Sequence, residues 1–180
     1  MSYAGFQRCL AVTWLPANDG QPYHVTPGDA GGPTAWGVTL AVFVAWRAKH
    51  GQPSATADDL AAATQDDLAD IYHADFWCAV QGDHLPVGVD LIAFETAVGS
   101  GPGWAARLLK RALGVAEDFR MDTATVRTAQ AQNAASLVRR YNAAHLAYVD
   151  SLGDARKFRG GWDRRIEADG VTALGWIGAA

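Results

Sequence analysis

The sequence is poor in the residues that build metal sites, disulfide frameworks and nucleic-acid interfaces. It has 2 cysteines and 5 histidines in 180 residues, and none of them stands in a CxxC, HExxH or paired Cys/His spacing. Its 15 basic residues against 19 acidic ones give a formal net charge of −4, without the basic stripe of a nucleic-acid-binding protein. We therefore expect no cofactor, no metal and no nucleic-acid partner, with Cys9 and Cys78 as buried thiols.

Long hydrophobic segments are also absent. No apolar run approaches the roughly 18 residues that cross a bilayer. Residues 1–16 have neither the basic leader nor the long apolar core of a signal peptide. We expect a chain that is made in the bacterial cytoplasm, without a signal peptide and without stable membrane insertion. If the protein acts at the cell wall or in the periplasm, another factor must deliver it.

What the sequence does contain is helical periodicity interrupted by glycine, which is typical of a mainly α domain. Thr39, Thr56 and Thr64 are candidate helix N-caps, and the last two begin Thr-x-x-Asp start signals. A short hairpin around residues 20–30 is the only place where we expect strand. The FRGGWDRR segment near the end is interpreted as a clamp after a glycine break. Helices are predicted over residues 39–50, 64–77, 86–98, 104–115 and 122–150.

The stretch PGDAGGPTAWGVT, residues 27–39, contains most of the candidate functional residues. Gly31 and Gly32 can take backbone angles that are closed to other residues. A tight turn before a helix explains these glycines, and the GK[ST] ending of a phosphate loop is missing. Neither idea explains why Asp29 and Thr34 flank them. An acid and a hydroxyl suit glycoside cleavage, in which one carboxylic acid protonates the leaving oxygen and a second carboxylate positions water.

Four motifs in order resemble the glycoside hydrolase 108 family of N-acetylmuramidases and phage endolysins. The family's N-terminal pattern runs roughly EGGYVNDPxDPGGxTxxGIT, and an IY…YW motif, an LP…FD…NsG motif and an F..GW..R ending follow it. The similarity covers about residues 5–167. The matching positions are Tyr23, Pro27, Asp29, Gly31, Gly32, Thr34, Gly37 and Thr39, then DIYHADFW (70–77), LPVGVDLIAFETAVGSG (85–101) and FRGGWDRR (158–165).

The resemblance implies a lysozyme-like α fold that cleaves the bond between muramic acid and glucosamine in peptidoglycan. The family's catalytic Glu falls on Gly20 here, and a one-residue slip brings Asp19 to that position as the acid. Asp is one methylene shorter than Glu, and a misplacement of about 1 Å costs on the order of a hundredfold in rate. Asp29 is then the second carboxylate and Thr34 the hydroxyl that orients water. The candidate substrate-binding residues are Tyr23, Gly31, Gly32 and Trp36.

Two further positions depart from the family's pattern. Gly99 stands in place of the Asn of NsG, and Glu95 stands in place of the Asp beside the family's phenylalanine. Glu95 is therefore a second candidate for the catalytic acid, because burial beside apolar side chains would raise the pKa of its carboxyl. The alternative is a structural carboxylate held by a salt bridge. Arg164 and Arg165 are expected to pair with acids of the helices.

The predicted organisation is a lysozyme-like catalytic lobe over residues 1–98 and a helical C-terminal lobe over residues 99–180, packed as one unit. The C-terminal lobe resembles a peptidoglycan-binding segment. We expect peptidoglycan glycan strands as the partner, and a phage or prophage origin with release through a holin or carriage in a virion. The alternative is a catalytically inactive relative that binds cell wall or is a structural part of a phage particle, since Gly20 and Gly99 replace the family's Glu and Asn.

Overall fold

The computed structural model describes residues 3–14, 22–25, 32–152 and 159–179. The chain divides into two compact units, which we treat separately. The hairpin unit comprises residues 10–75, and the helical unit comprises residues 1–9 with 76–180. The predicted boundary between functional lobes at residue 98 differs from these bounds and stays a prediction.

The hairpin unit combines a small antiparallel sheet with short helices. The sheet has the strand order β1 (Tyr23–His24), β2 (Thr34–Ala35), β3 (Val38–Thr39), with Tyr23 opposite Ala35 and Thr34 opposite Thr39. Its elements are the end of α1 (Tyr3–Trp14), β1 (Tyr23–His24), β2 (Thr34–Ala35), β3 (Val38–Thr39), α2 (Leu40–Lys49), α3 (Ala57–Ala62) and α4 (Gln65–Ile71). A π-helical segment, Tyr72–Trp77, follows α4.

Side-chain caps determine where the helices of the hairpin unit begin. The Thr39 hydroxyl accepts the backbone N–H of Val42 at 3.4 Å. Thr56 and Thr64 each open a capping box in which an Asp three residues later bonds back to the threonine N–H. Such a box satisfies two backbone donors that a helix start otherwise leaves without partners. The three predicted N-caps are confirmed.

The helical unit is built around one buried helix. Its elements after the π-helical segment are a 3₁₀ turn (Gly82–His84), α5 (Val89–Ser100), α6 (Pro102–Leu113), α7 (Thr123–Gln130), α8 (Ala134–Ser151) and α9 (Arg159–Ala179). Helix α5 packs against α6, α8 and α9. Every residue from 89 to 97 is buried, including the polar residues Asp90, Glu95 and Thr96.

Polar groups on α5 are buried only with partners. The Asp90 carboxylate accepts the guanidinium of Arg8 at 2.9 Å and the backbone N–H of Gly88 at 2.7 Å. The Thr96 hydroxyl donates to the Ile92 carbonyl at 2.7 Å. An unpaired buried polar group destabilises a fold, so these contacts allow the buried helix α5 to contain polar side chains.

The mainly α architecture is confirmed, and several boundaries are corrected. The helix predicted from Pro86 begins at Val89, because Gly88 has a φ of 85°, which no right-handed helix uses. The single long helix predicted over 122–150 is two helices. Asn133 caps the second of them by accepting the Ser136 N–H at 2.9 Å, so the chain restarts there.

The strand and tail predictions need correction too. Of the predicted hairpin at 20–30, the structure describes residues 22–25, which contain β1; β2 and β3 lie at residues 34–39. Residues 159–165 of the segment interpreted as a clamp form the first turns of α9, which runs through Gly160 and Gly161, and Phe158 lies outside the described residues. Cys9 is buried as expected, whereas Cys78 is exposed. None of the helices in the described ranges is both long and apolar enough to cross a membrane.

Candidate functional site

The β2–β3 turn of the hairpin unit has an unusual backbone. Trp36 and Gly37 connect the two strands with φ angles of 49° and 82°. Positive φ at both central residues is the geometry of a type I′ hairpin turn, which normally takes Asn or Gly. A bulky residue in this region is an outlier that costs of order 1–3 kcal/mol and persists only when its surroundings hold it.

Several contacts hold the strained turn in place. The Tyr72 hydroxyl donates to the Trp36 carbonyl at 2.9 Å, and the Trp36 N–H donates to the Pro22 carbonyl at 2.8 Å. The Trp36 indole packs against the Trp14 indole, with ring centroids 5.8 Å apart. Trp36 nevertheless stays half-buried.

Thr34 and Gly32 lie beside this turn. Thr34 is buried, and its hydroxyl donates to the Gly32 carbonyl at 3.1 Å. The hydrogen of the hydroxyl is thereby used, while its oxygen can still accept a hydrogen bond. Gly32 has a φ of 66°, the left-handed region that favours glycine. Tyr23 is half-buried on the neighbouring strand, opposite Ala35.

The hairpin unit therefore brings together four of the residues that the sequence singled out. They are Tyr23, Gly32, Thr34 and Trp36. Asp19, Asp29 and Gly31 lie outside the described residues, so their roles stay predictions.

Glu95 lies in the helical unit, on α5. Its side chain is 4% exposed, and its Oε2 accepts hydrogen bonds from Nη2 of Arg165 at 2.6 Å and from Nε at 3.1 Å. Both contacts are hydrogen bonds from a charged donor, and they hold this oxygen against the guanidinium. This ion pair supports the structural interpretation of Glu95 that the sequence left open.

A cavity of about 500 Å³ opens beside that ion pair. Asp169 lines it, and burial together with the negative charge of Glu95 raises the pKa of the Asp169 carboxyl to about 7. His145 lines it from α8, and burial lowers the pKa of its imidazole to about 4. Its Nδ1 lies 3.2 Å from the Thr96 hydroxyl.

Sequence reasoning missed Asp169 and His145. A signal for the first existed: Trp162, Arg165 and Asp169 are spaced by three and four residues and share one face of a helix. Reading the FRGGWDRR segment as a helix start would have exposed this pattern. No local signal links His145 to Glu95, since only the packing of α8 against α5 brings them to one cavity.

Comparison with known proteins decides the family. The sequence profile of the family described as Glycosyl hydrolase 108 matches residues 12–101, which is half of the 180-residue chain. The chain belongs to this family. Membership makes it a glycoside hydrolase by family, and the matched range includes the whole β2–β3 hairpin.

The Glycosyl hydrolase 108 chain also resembles a solved structure over nearly its full length. The structure of Brucella abortus SagA matches it with a TM-score of 0.83 and 29% sequence identity, covering 97% of each chain. No curated protein matches the sequence significantly. Together the family and the structural similarity support a lysozyme-like fold and a function of the peptidoglycan-hydrolase type. Within the described residues, no three His, Cys, Asp or Glu side chains are grouped to hold a metal ion.

Proposed function

We propose that this protein is an N-acetylmuramidase that hydrolyses the glycan strands of peptidoglycan on a groove floored by the β2–β3 hairpin. The observation that carries the proposal is the strained Trp36–Gly37 turn within the family-matched range. Backbone strain of this kind clusters at ligand-binding and catalytic sites. The half-buried Trp36 and Tyr23 offer aromatic surface of the kind that stacks on a sugar ring.

The proposed chemistry uses two carboxyl groups and one hydroxyl. Asp19 donates a proton to the glycosidic oxygen, and Asp29 accepts a proton from the attacking water. The oxygen of Thr34 accepts the second hydrogen of that water, since its own hydrogen is donated to the Gly32 carbonyl. A water that donates both hydrogens turns a lone pair toward the anomeric carbon. No cofactor takes part in this scheme.

A catalytically inactive wall-binding or virion relative is the second candidate. The observation that favours it is Gly20, which stands where the family carries its catalytic Glu. Glu95 is the other candidate acid, but its Oε2 is engaged by Arg165. Phage or prophage origin, release through a holin and carriage in a virion stay predictions from the family resemblance.

The first test is hydrolysis of purified peptidoglycan, followed by release of reducing ends and loss of turbidity. We expect activity in the wild type and a loss of about a hundredfold or more in Asp19→Asn and Asp29→Asn. Thr34→Val keeps the shape of the side chain but removes the oxygen that accepts a hydrogen bond from the water. It should lower kcat roughly 10- to 100-fold with little change in KM. Glu167→Gln, an exposed change on α9, should leave activity unchanged.

Two outcomes would overturn parts of this proposal. If Glu95→Gln alone abolishes activity while the protein keeps its circular dichroism spectrum, the acid is Glu95 and not Asp19. If the wild type releases no reducing ends but pellets with cell wall, the protein is an inactive binding relative and the muramidase proposal is wrong.

A further inference from the structure

The cavity of the helical unit contains a buried carboxyl group that has no hydrogen-bond donor among the described residues. Asp169 is 8% exposed and lines the cavity. Within the described part of the chain, no hydrogen-bond donor pairs with its carboxyl; only the charges of Glu95 and Arg165 act on it. Buried carboxylates are normally hydrogen-bonded or ion-paired. A buried acid directed into an open cavity therefore points to a ligand that would pair with it.

The charges of the described residues around Asp169 give a net charge of about −1 when Asp169 itself is ionised. Glu95 faces the cavity from α5 and is neutralised by Arg165 of α9. From α8 come Tyr148 and His145, and burial lowers the pKa of the His145 imidazole to about 4, so the ring is neutral at pH 7. When Asp169 ionises, the described residues that line the cavity include two carboxylates and one guanidinium. A cation is the partner that this imbalance favours.

The walls of the cavity fit a cation that carries an aliphatic chain better than they fit a hydrated ion. Its size, about 500 Å³, is in the ordinary range for small-molecule sites. The aliphatic side chains on the walls are Val98, Val149, Leu152 and Ile166. Trp162 and Leu152 are 42% and 38% exposed, so they form an apolar rim that a ligand can reach from solvent. An indole face also attracts cations.

We propose that this cavity binds an alkylammonium group, with Asp169 as the counter-ion and the aliphatic arm lying along the wall of Val98, Val149 and Ile166. Two sources carry this chemistry: a free aliphatic diamine, and the side chain of a diamino acid within a peptide. The site lies in the helical unit, and it does not depend on the proposed glycosidase activity.

The test is isothermal titration calorimetry of the full chain with three probes. They are 1,5-diaminopentane, Nα-acetyl-lysine amide and the uncharged Nα-acetyl-norleucine amide. The two amines should bind at pH 8 and the norleucine probe should not. Tighter binding of the lysine derivative than of the diamine assigns the site to peptides, and the reverse order assigns it to free amines.

Two substitutions and a change of pH test whether the carboxyl of Asp169 itself binds the amine. Asp169→Asn should weaken amine binding at least about tenfold, as expected for loss of a partly buried charge-assisted contact. Glu167→Gln removes an exposed carboxylate from the same helix and should not change binding. In the wild type, affinity should fall about tenfold from pH 8 to pH 6, because Asp169 takes up a proton while the amine stays charged.

Equal binding of the lysine and norleucine probes, or no binding of either amine at millimolar concentration, would overturn the proposal. Amine binding that Asp169→Asn and Glu167→Gln reduce equally would also overturn it, since general surface charge would then explain the attraction. Circular dichroism spectra that match the wild type are required of both variants, so that unfolding is not mistaken for loss of the site.

Discussion

Single residues fix the geometry of the hairpin turn. At Gly37 the φ angle is 82°, and a Cβ atom added there would lie 2.6 Å from the Tyr72 hydroxyl oxygen. That oxygen is itself held by its hydrogen bond to the Trp36 carbonyl. Glycine is needed at this position for two separate reasons, the backbone angle and the close approach of a buried side chain.

The two reasons can be separated by substitution. Gly51 also has a positive φ, 68°, but nothing lies within 4 Å of its added Cβ, so Gly51→Ala measures the backbone penalty alone. We expect Gly51→Ala to lower the free energy of unfolding by about 1 kcal/mol and Gly37→Ala by about 2–3 kcal/mol. Urea unfolding measures both.

Tyr72→Phe is the control for the close approach. It removes the hydroxyl oxygen and should cost about 0.5–1.5 kcal/mol by itself. In that background, Gly37→Ala should cost no more than Gly51→Ala, a coupling expected of residues in contact. If the Gly37→Ala penalty is the same with and without the hydroxyl, the contact with Tyr72 is not its cause.

At the scale of secondary-structure elements, local N-terminal capping stabilises the short helices of the hairpin unit. Helix α4 spans only Gln65–Ile71, well below the length at which an isolated helix is stable in water. The Thr64 hydroxyl accepts the Asp67 N–H at 3.2 Å, and the Asp67 carboxylate accepts the Thr64 N–H at 2.9 Å. The Thr64 hydroxyl also donates to the Asp67 carboxylate at 2.7 Å, and this bond, together with that from the Thr64 N–H, lowers the pKa of the Asp67 carboxyl.

Removing this cap should have a defined cost. We expect Thr64→Ala to lower the free energy of unfolding by about 1 kcal/mol, because a backbone N–H at the helix start loses its acceptor. Thr64→Ser keeps the oxygen and should stay within about 0.5 kcal/mol of the wild type. Urea unfolding followed by circular dichroism compares the three proteins. Equal losses in both variants would mean that the threonine methyl, and not the hydroxyl, stabilises α4.

At the scale of the whole molecule, two buried groups give the stability opposite dependences on pH. Asp169 has a pKa near 7 when folded against an ordinary value of 3.8, so the folded state holds the extra proton. Its contribution to stability therefore falls as pH rises from about 4 to 7. His145 has a pKa near 4 when folded against an ordinary 6.5. The unfolded state holds that extra proton, so the contribution of His145 rises over the same range.

Asp169 and His145 make opposite contributions to the slope of the free energy of unfolding against pH, and substitution of either residue should reveal the contribution of the other. Between pH 4 and 7, Asp169→Asn should give a free energy of unfolding that rises more steeply with pH than that of the wild type, since Asp169 no longer offsets the His145 contribution. His145→Gln should give one that falls with pH. Urea unfolding at pH 4, 5, 6 and 7 provides the profiles, with Glu167→Gln as the control that should parallel the wild type. Parallel profiles for all proteins would contradict the assignment of these protons.

Local signals in the sequence determined a good part of this structure. The Thr39, Thr56 and Thr64 caps were predicted and are present because each depends on atoms within about four residues. The family-typical loop also placed Thr34 and Trp36 in one stretch directly before helix α2. The mainly α class followed from helical periodicity, which needs no tertiary information.

Other features depend on contacts between residues far apart in the chain, and only the tertiary structure decided them. Glu95 fits both an acid and a salt-bridged carboxylate until α9 brings Arg165 to it, 70 residues away in sequence. The shifted pKa values of Asp169 and His145 come from burial where α5, α8 and α9 pack together, with the charge of Glu95 as a further cause for Asp169. Desolvation is a property of the assembled core, so a local reading of the sequence determines which groups can titrate, and the fold alone decides where their pKa values lie.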